Sequence, residues 1–471
     1  MKTAYRKRTD LWRRLAAVAL IFLLWEILPV QQAAAFLSTE DERVMGQKFL
    51  ESIKRQLQFV DDGFSEDYLN DLGQFLLLPM ETRPFPFQFY LARDHSLNAF
   101  AGPGGHIFVF SGLVSVMDSV DELAAVLCHE VAHVSARHLA ERLDQMQKIG
   151  LGTLAGMLAG ILMGGQAGAA VMSGTVAAGI QKQLAYSRED ERQADQLGFQ
   201  YMSQTGFDPG GMLQTLTKLE KGSWYGANTI PPYLLTHPSG PERMSNIESL
   251  LSTLSRKQDR SETRRFRDLF PFFKVSVGAK SGDPHEMEAR FRKELERDPD
   301  SVLAHFGMGI VLQGRSENER AVRHFQEALK GRPDSAPVLR KLAESYQWMG
   351  RDREAVQILE KAVRSDRQDR SGYLLLAKSY QNLEDHGQAI RLYERLLLMK
   401  PVKDEVYYDL GVSYGRENRL ALAHYNFGVY FKRTGERNKA RFHFQKAEEL
   451  AKGDPGLAAK IQSEMKEMRL R

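Results

Sequence analysis

Two histidines four residues apart, His129 and His133, flank Glu130 within Leu123–Val134, a stretch whose other residues are almost all apolar. Four residues is about one helical turn, so in a helix both imidazoles lie on one face and can reach a single ion. Glu130, about 100° round the helix from His129, can reach a water on that ion without ligating it. The pattern H-E-x-x-H is that of zinc peptidases for this geometric reason. A helix apolar nearly all round is buried, and buried polar groups need partners. The plain alternative is two core histidines satisfied by backbone carbonyls. Ser119-Val-Asp-Glu122 reads as a capping box that starts this helix.

A catalytic zinc usually takes three protein ligands and leaves a fourth position for water. One source for the third is the segment opened by Ser187-Arg-Glu-Asp190, a second capping box, which carries Glu191 and Asp195 one turn apart. By residue type alone this charged run reads first as a solvated helix surface.

Resemblance changes that reading. Cys128–His133, followed by Ser187-Arg-Glu-Asp-Glu191-Arg-Gln-Ala-Asp195, resembles the zinc metallopeptidases related to HtpX and the CAAX prenyl protease. The resemblance implies Glu191 as the third ligand beside His129 and His133. It implies Asp195 as the carboxylate that supports a ligand histidine, and one Zn2+ per chain. Asn98-Ala-Phe-Ala-Gly-Pro-Gly-Gly-His106 is similar to the stretch that precedes an active-site edge strand in that family. Thr236-His237-Pro238, with Arg243 six residues after the histidine, is similar to its T-H-P-x-x-x-x-R element. Glu130 is then the general base for a water whose pKa zinc lowers to about 7. His237 is either a second donor to the oxyanion or an inhibitory fourth zinc ligand. Arg243 anchors the His237 loop by pairing with a carboxylate. Substrate backbone is expected to add to an edge strand through Asn98, His106, Ile107 and Phe108. His106 and His138 are otherwise read as structural.

The elements that must position these groups fall into two halves. Up to about residue 250, helical patterns surround one strand region: Phe85–Ala92 alternates, and His106–Ser111 follows the turn-forming Gly102-Pro103-Gly104-Gly105. Farther on, Ala321, Ala355, Ala389 and Ala423 recur on a 34-residue ruler. Gly309, Ala343, Ala377 and Gly411 keep the same register, as do Phe325, Leu359, Tyr393 and Phe427. That is the grammar of stacked helix-turn-helix units and resembles the tetratricopeptide repeat. Ala440, Phe444 and Ala447 extend it by half a period. Residues 252–282, charged and Ser-rich, read as a linker or strap. The uncharged, glycine-rich stretch 149–181 suggests two small-residue helices in a hairpin, with membrane contact as the alternative.

The cationic start, the apolar run Leu15–Trp25 and Ala33-Ala34-Ala35 have the layout of a cleavable signal peptide, which implies export, most simply to a bacterial periplasm. The net charge of +4 comes from that segment, which holds six cations and two anions; the remainder balances. A balanced chain gives no electrostatic case for nucleic acid. The single cysteine, Cys128, excludes an internal disulfide, including any bracing of the repeats.

The expected architecture is mainly α. A signal peptide (1–35) precedes a zincin-like α+β metallopeptidase domain of the gluzincin kind with a small edge sheet (36–251). A linker or strap (252–282) then leads into an α-solenoid of tetratricopeptide repeats (283–471). The expected function is a periplasmic zinc endopeptidase acting on unfolded or misassembled envelope and outer-membrane proteins. Partnership with the outer-membrane assembly machinery is implied by similarity to the β-barrel assembly-enhancing proteases. The alternative is a chaperone or assembly scaffold whose metal site is largely self-inhibited.

Overall fold

A computed structural model describes residues 38–144, 158–160, 186–224, 230–254 and 261–470. The segment read as a signal peptide, 1–35, and nearly all of the stretch 149–181 lie outside these residues. No described helix is long and apolar enough to cross a membrane.

The chain begins with α1 (Thr39–Gln56) and α2 (Gly63–Leu76). It then lays down β1 (Gln88–Ala92), β2 (Ala99–Gly102) and β3 (His106–Phe110). The sheet order is β1-β3-β2, with β3 parallel to β1 and antiparallel to β2. The turn between β2 and β3 uses Pro103-Gly104-Gly105. Gly104 (φ 74°) and Gly105 (φ 85°) lie in the left-handed region that a side chain disfavours. The placement of β3 corrects one expectation: this strand is interior, so His106, Ile107 and Phe108 cannot receive a substrate strand. Which strand is central depends on tertiary pairing, and local alternation carries no information about it.

Short α3 (Ser111–Val116) leads into α4 (Val120–Ser135), the helix carrying His129, Glu130 and His133. After α5 (His138–Asp144) come α6 (Arg188–Thr205), α7 (Gly210–Trp224), α8 (Pro232–Thr236) and α9 (Pro241–Ser252). Ser119 caps α4 by accepting from the Glu122 amide, whereas Glu122 reaches back one residue farther, to the Asp118 amide at 3.2 Å. The Ser187–Asp190 box that opens α6 is closed in both directions.

Within the segment read as linker or strap lies a 21-residue helix, α10 (Ser261–Ser281). Phe266, Phe270, Phe273 and Val277 recur at helical spacing and are buried. Tyr68 of α2 stacks on Phe273 with centroids 4.5 Å apart. One hydrophobic core runs from α2 through α4 and α10 into the repeats.

The solenoid comprises α11 (Pro284–Arg297), α12 (Val302–Gly314), α13 (Asn318–Gly331), α14 (Ala336–Trp348), α15 (Asp352–Ser365) and α16 (Arg370–Asn382). It continues with α17 (His386–Leu398), α18 (Asp404–Arg416), α19 (Leu420–Arg433), α20 (Arg437–Leu450) and α21 (Pro455–Leu470). The ruler residues explain the packing. A Cβ on Gly309 would stand 2.4 Å from the Phe325 ring, and one on Gly411 2.8 Å from Phe427. Glycine is therefore needed where the paired helix presents phenylalanine.

Charge fastens the solenoid to the N-terminal half. Asp62, the N-cap of α2, accepts from the Ser65 amide at 3.1 Å, from the Ser276 hydroxyl at 2.8 Å and from Lys341 Nζ at 2.8 Å. Arg370 pairs with Asp67 at 3.0 Å and Asp71 at 2.6 Å, and Lys403 with Glu66 at 2.8 Å. Burial alone raises a carboxyl pKa, yet Lys341, Ser65 and Ser276 outweigh it and hold Asp62 well below the carboxylate range. A depressed carboxyl stabilises the fold at neutral pH, and that contribution fades as pH falls through its folded value. Lys341→Met, which strands the buried Asp62 charge, is expected to cost about 3–5 kcal/mol in denaturant unfolding at pH 7. Adding Asp62→Asn should restore most of the loss, and the Lys341→Met penalty should shrink in acid.

Candidate metal centre

The first ligand pair follows from α4 being buried along nearly its whole length: His129, Glu130 and His133 are 2%, 0% and 1% exposed. Their Nε2 atoms lie 3.0 Å apart. Helix α6 packs across α4 and brings Glu191 to both rings, its carboxylate oxygens 3.4 Å from His129 Nε2 and 3.4 Å from His133 Nε2. The link between α8 and α9 adds His237, whose Nδ1 is 3.0 Å from Glu191 Oε1 and 3.3 Å from His129 Nε2. These four residues each offer one ligand atom, all within 4.8 Å of one another. Tyr233 stacks on His237 and Tyr186 on His133, with centroids at 4.5 and 3.8 Å.

Behind the ligands sits a second row of charge. Asp195 Oδ1 accepts from His129 Nδ1 at 2.9 Å, which leaves Nε2 as the nitrogen facing the other ligands. Arg243 lies 2.5 Å from Glu191, and 2.7 and 2.9 Å from the two Asp195 oxygens. It also reaches the Pro238 carbonyl at 3.5 Å, so it anchors the loop after His237 as well as the carboxylates. Burial and Arg243 oppose a charged His129, but Glu191 and Asp195 prevail and push it up to about 9. For His133 burial dominates and holds the ring well below its usual value. Burial would raise Glu191 and Asp195; Arg243 and the neighbouring histidines overcome it and hold both below the carboxylate range. Burial also opposes the Arg243 charge, and Glu191 with Asp195 reverses that and raises it.

Do these residues fit a metal? Three imidazoles and a carboxylate converge, a nitrogen and oxygen donor set suited to a divalent ion such as zinc. Both Glu130 oxygens are buried without a hydrogen-bond partner, whereas Glu191 Oε2 meets the Arg243 guanidinium. Orphaned buried carboxylate oxygens are costly unless something cationic or protic meets them, so the donor set and its electrostatics agree.

The remaining sequence-derived residues divide. Asn98 is 1% exposed at the start of β2, which is an edge strand of the sheet. His106 lies on β3, 3.1 Å from the Tyr90 hydroxyl, and is held low, to about 4, by burial and by Lys54. Sequence reasoning left His138 as structural, yet its Nδ1 is 2.9 Å from His133 Nδ1. Only the closeness of His138 to the motif signalled this contact. A cleft of about 240 Å³ lined by Arg188, Glu191, Arg192, Gly240, Glu242 and Arg243 opens beside the cluster.

With this geometry in place, comparison with known proteins is decisive. Residues 66–251 match peptidase family M48, and residues 312–379 and 374–424 match tetratricopeptide repeats. The chain carries an M48 peptidase domain followed by tetratricopeptide repeats. It is a metalloendopeptidase. The β-barrel assembly-enhancing protease of Yersinia pestis is 28% identical over 375 residues, 78% of this chain and 76% of the relative. Its counterpart in Escherichia coli (strain K12) is 25% identical over 396 residues, 76% of this chain and 80% of the relative. The mitochondrial metalloendopeptidase OMA1 of Schizosaccharomyces pombe is 30% identical across 176 residues, 37% of this chain and 50% of that protein.

The charges around Arg243 have a testable consequence. Arg243→Met leaves Asp195 and Glu191 buried without their cation and is expected to destabilise the metal-free protein by about 3–5 kcal/mol. A bound divalent cation supplies compensating charge, so saturating metal should raise the melting temperature of Arg243→Met more than that of the unaltered protein. Thermal melts with and without chelator check both statements.

Proposed function

We propose that this metalloendopeptidase uses one Zn2+ and works in the bacterial periplasm, hydrolysing peptide bonds of unfolded or misassembled envelope and outer-membrane proteins. His129, His133 and Glu191 hold the ion; Arg243 keeps Glu191 ionised and Asp195 orients the His129 ring. Zinc in such a site supplies Lewis-acid chemistry at neutral pH. The observation that carries the reading is Glu130: fully buried, one residue from His129, with both carboxylate oxygens free of hydrogen bonds. A carboxylate so placed takes a proton from the attacking water and returns it to the leaving amine. Tyr186 and Tyr233, stacked on His133 and His237, exclude bulk water from that transfer. With β3 interior, substrate backbone adds instead along the edge strand β2 beside Asn98, a mode that reads little side-chain identity. The relatives named for β-barrel assembly support envelope clients, and the repeats offer a surface for clients or assembly-machinery partners. The leader-like N-terminal sequence supports export.

A second reading rests on His237. Its Nδ1 stands among the ligand atoms, its Nε2 is 3.5 Å from Glu130, and the ring is 1% exposed. That placement favours a resting enzyme plugged by its own side chain, with chaperone or scaffold work done by the repeats.

Glu130→Gln should lower cleavage of an unfolded polypeptide about 10²–10⁴-fold while one metal ion per chain is retained. Normal cleavage by that variant would overturn the mechanism. His237→Ala separates the roles of the ring: faster cleavage marks a plug, slower cleavage an oxyanion donor.

A further inference from the structure

Beyond the ligands, we propose that His138 and Gln193 form a positioning relay that fixes the tautomer of His133, so that its Nε2 carries the lone pair facing the metal position. The proposal rests on the reading of His133 as a ligand and extends it to two residues that have no other part in the site.

Three observations converge. His138 is 3% exposed, and its Nδ1 stands 2.9 Å from His133 Nδ1 with the rings 5.0 Å apart and nearly perpendicular. On its far side His138 Nε2 is 2.9 Å from Gln193 Oε1. The backbone is bent to make this contact. Arg137 adopts φ 58°, the left-handed region that side chains disfavour, and breaks α4 from α5 between the two histidines. In an unbroken helix a residue five positions on points about 140° away, so His138 could not face His133. Glu42 pairs with Arg137 at 3.2 Å and braces the turn. A strained residue held by a tertiary ion pair is what a built contact requires.

The protons follow from donor and acceptor capacity. An amide oxygen only accepts, so His138 Nε2–H donates to Gln193 and His138 Nδ1 bears the lone pair. That lone pair accepts from His133 Nδ1–H. His133 Nε2 is then unprotonated and faces Glu191 Oε1 and His129 Nε2. Asp195 does the same for His129. The two ligand histidines of α4 are thus oriented from opposite flanks, one by a carboxylate and one by an imidazole whose polarity is set by Gln193. Reversing the donor at residue 193 would reverse every proton in the row and place a hydrogen on His133 Nε2.

The test is Zn2+ affinity of the full-length chain, measured by competition with a chromogenic chelator. Gln193 is exposed on α6, so substitutions there leave the core intact. Gln193→Glu, which still accepts, should bind Zn2+ within about threefold of the unaltered protein. Gln193→Lys, which only donates, and His138→Leu should each weaken binding about 10–100-fold. Wild-type affinity in both Gln193→Lys and His138→Leu overturns the relay. His133→Gln is the control for the underlying reading. If it too binds normally, the ligand assignment itself is wrong; if it alone loses Zn2+, only the relay falls.

Discussion

Arg243 is the group on which the centre depends. Among the described residues it is the buried arginine that touches both Glu191 and Asp195 directly. Burial favours the neutral acid, and Arg243 is the foremost of the groups that keep both carboxylates ionised in so dry a place. An ionised Glu191 can serve as a metal ligand, and an ionised Asp195 can hold the His129 ring. The same guanidinium reaches the Pro238 carbonyl, so the loop carrying His237 is tied to the electrostatics of the metal site. Removing the arginine disturbs ligand charge, ligand orientation and loop position together.

Much of this was legible in the chain. The repeat half followed from a 34-residue ruler of small and large residues, repeated often enough to outweigh chance. The zincin-like half rested on the resemblance carried by the H-E-x-x-H helix and Ser187–Asp195. The assignment of Glu191 needed more than spacing, since Ser187–Asp195 also reads as an ordinary charged surface; resemblance drew attention to it.

What the sequence concealed was tertiary. The central place of β3 depends on how two other strands pair with it, and the short buried run His106–Phe110 does not name those partners. Helix α10 was obscured by composition. Arg264, Arg265, Arg267 and Asp268 suggest a solvated linker, while Phe266, Phe270, Phe273 and Val277, spaced by four, three and four, form the buried stripe. Its cations are absorbed by partners far along the chain: Arg265 pairs with Asp71 and Asp366, and Arg267 with Asp121. His138 stayed hidden because a left-handed arginine has no reliable sequence signature, and without that turn the side chain would face elsewhere.

The aromatic stripe of α10 also bears on how the two halves behave as machinery. A solenoid joined to a catalytic domain by a loose tether would swing freely and deliver cargo by diffusion. Here the rings of Phe266, Phe270 and Phe273 belong to one continuous interior with Tyr68 of α2 and Phe306 of the first repeat. The first repeats are therefore clamped to the catalytic half by shared packing, like a lever fixed at its base, while the last helices pack in a cluster of their own.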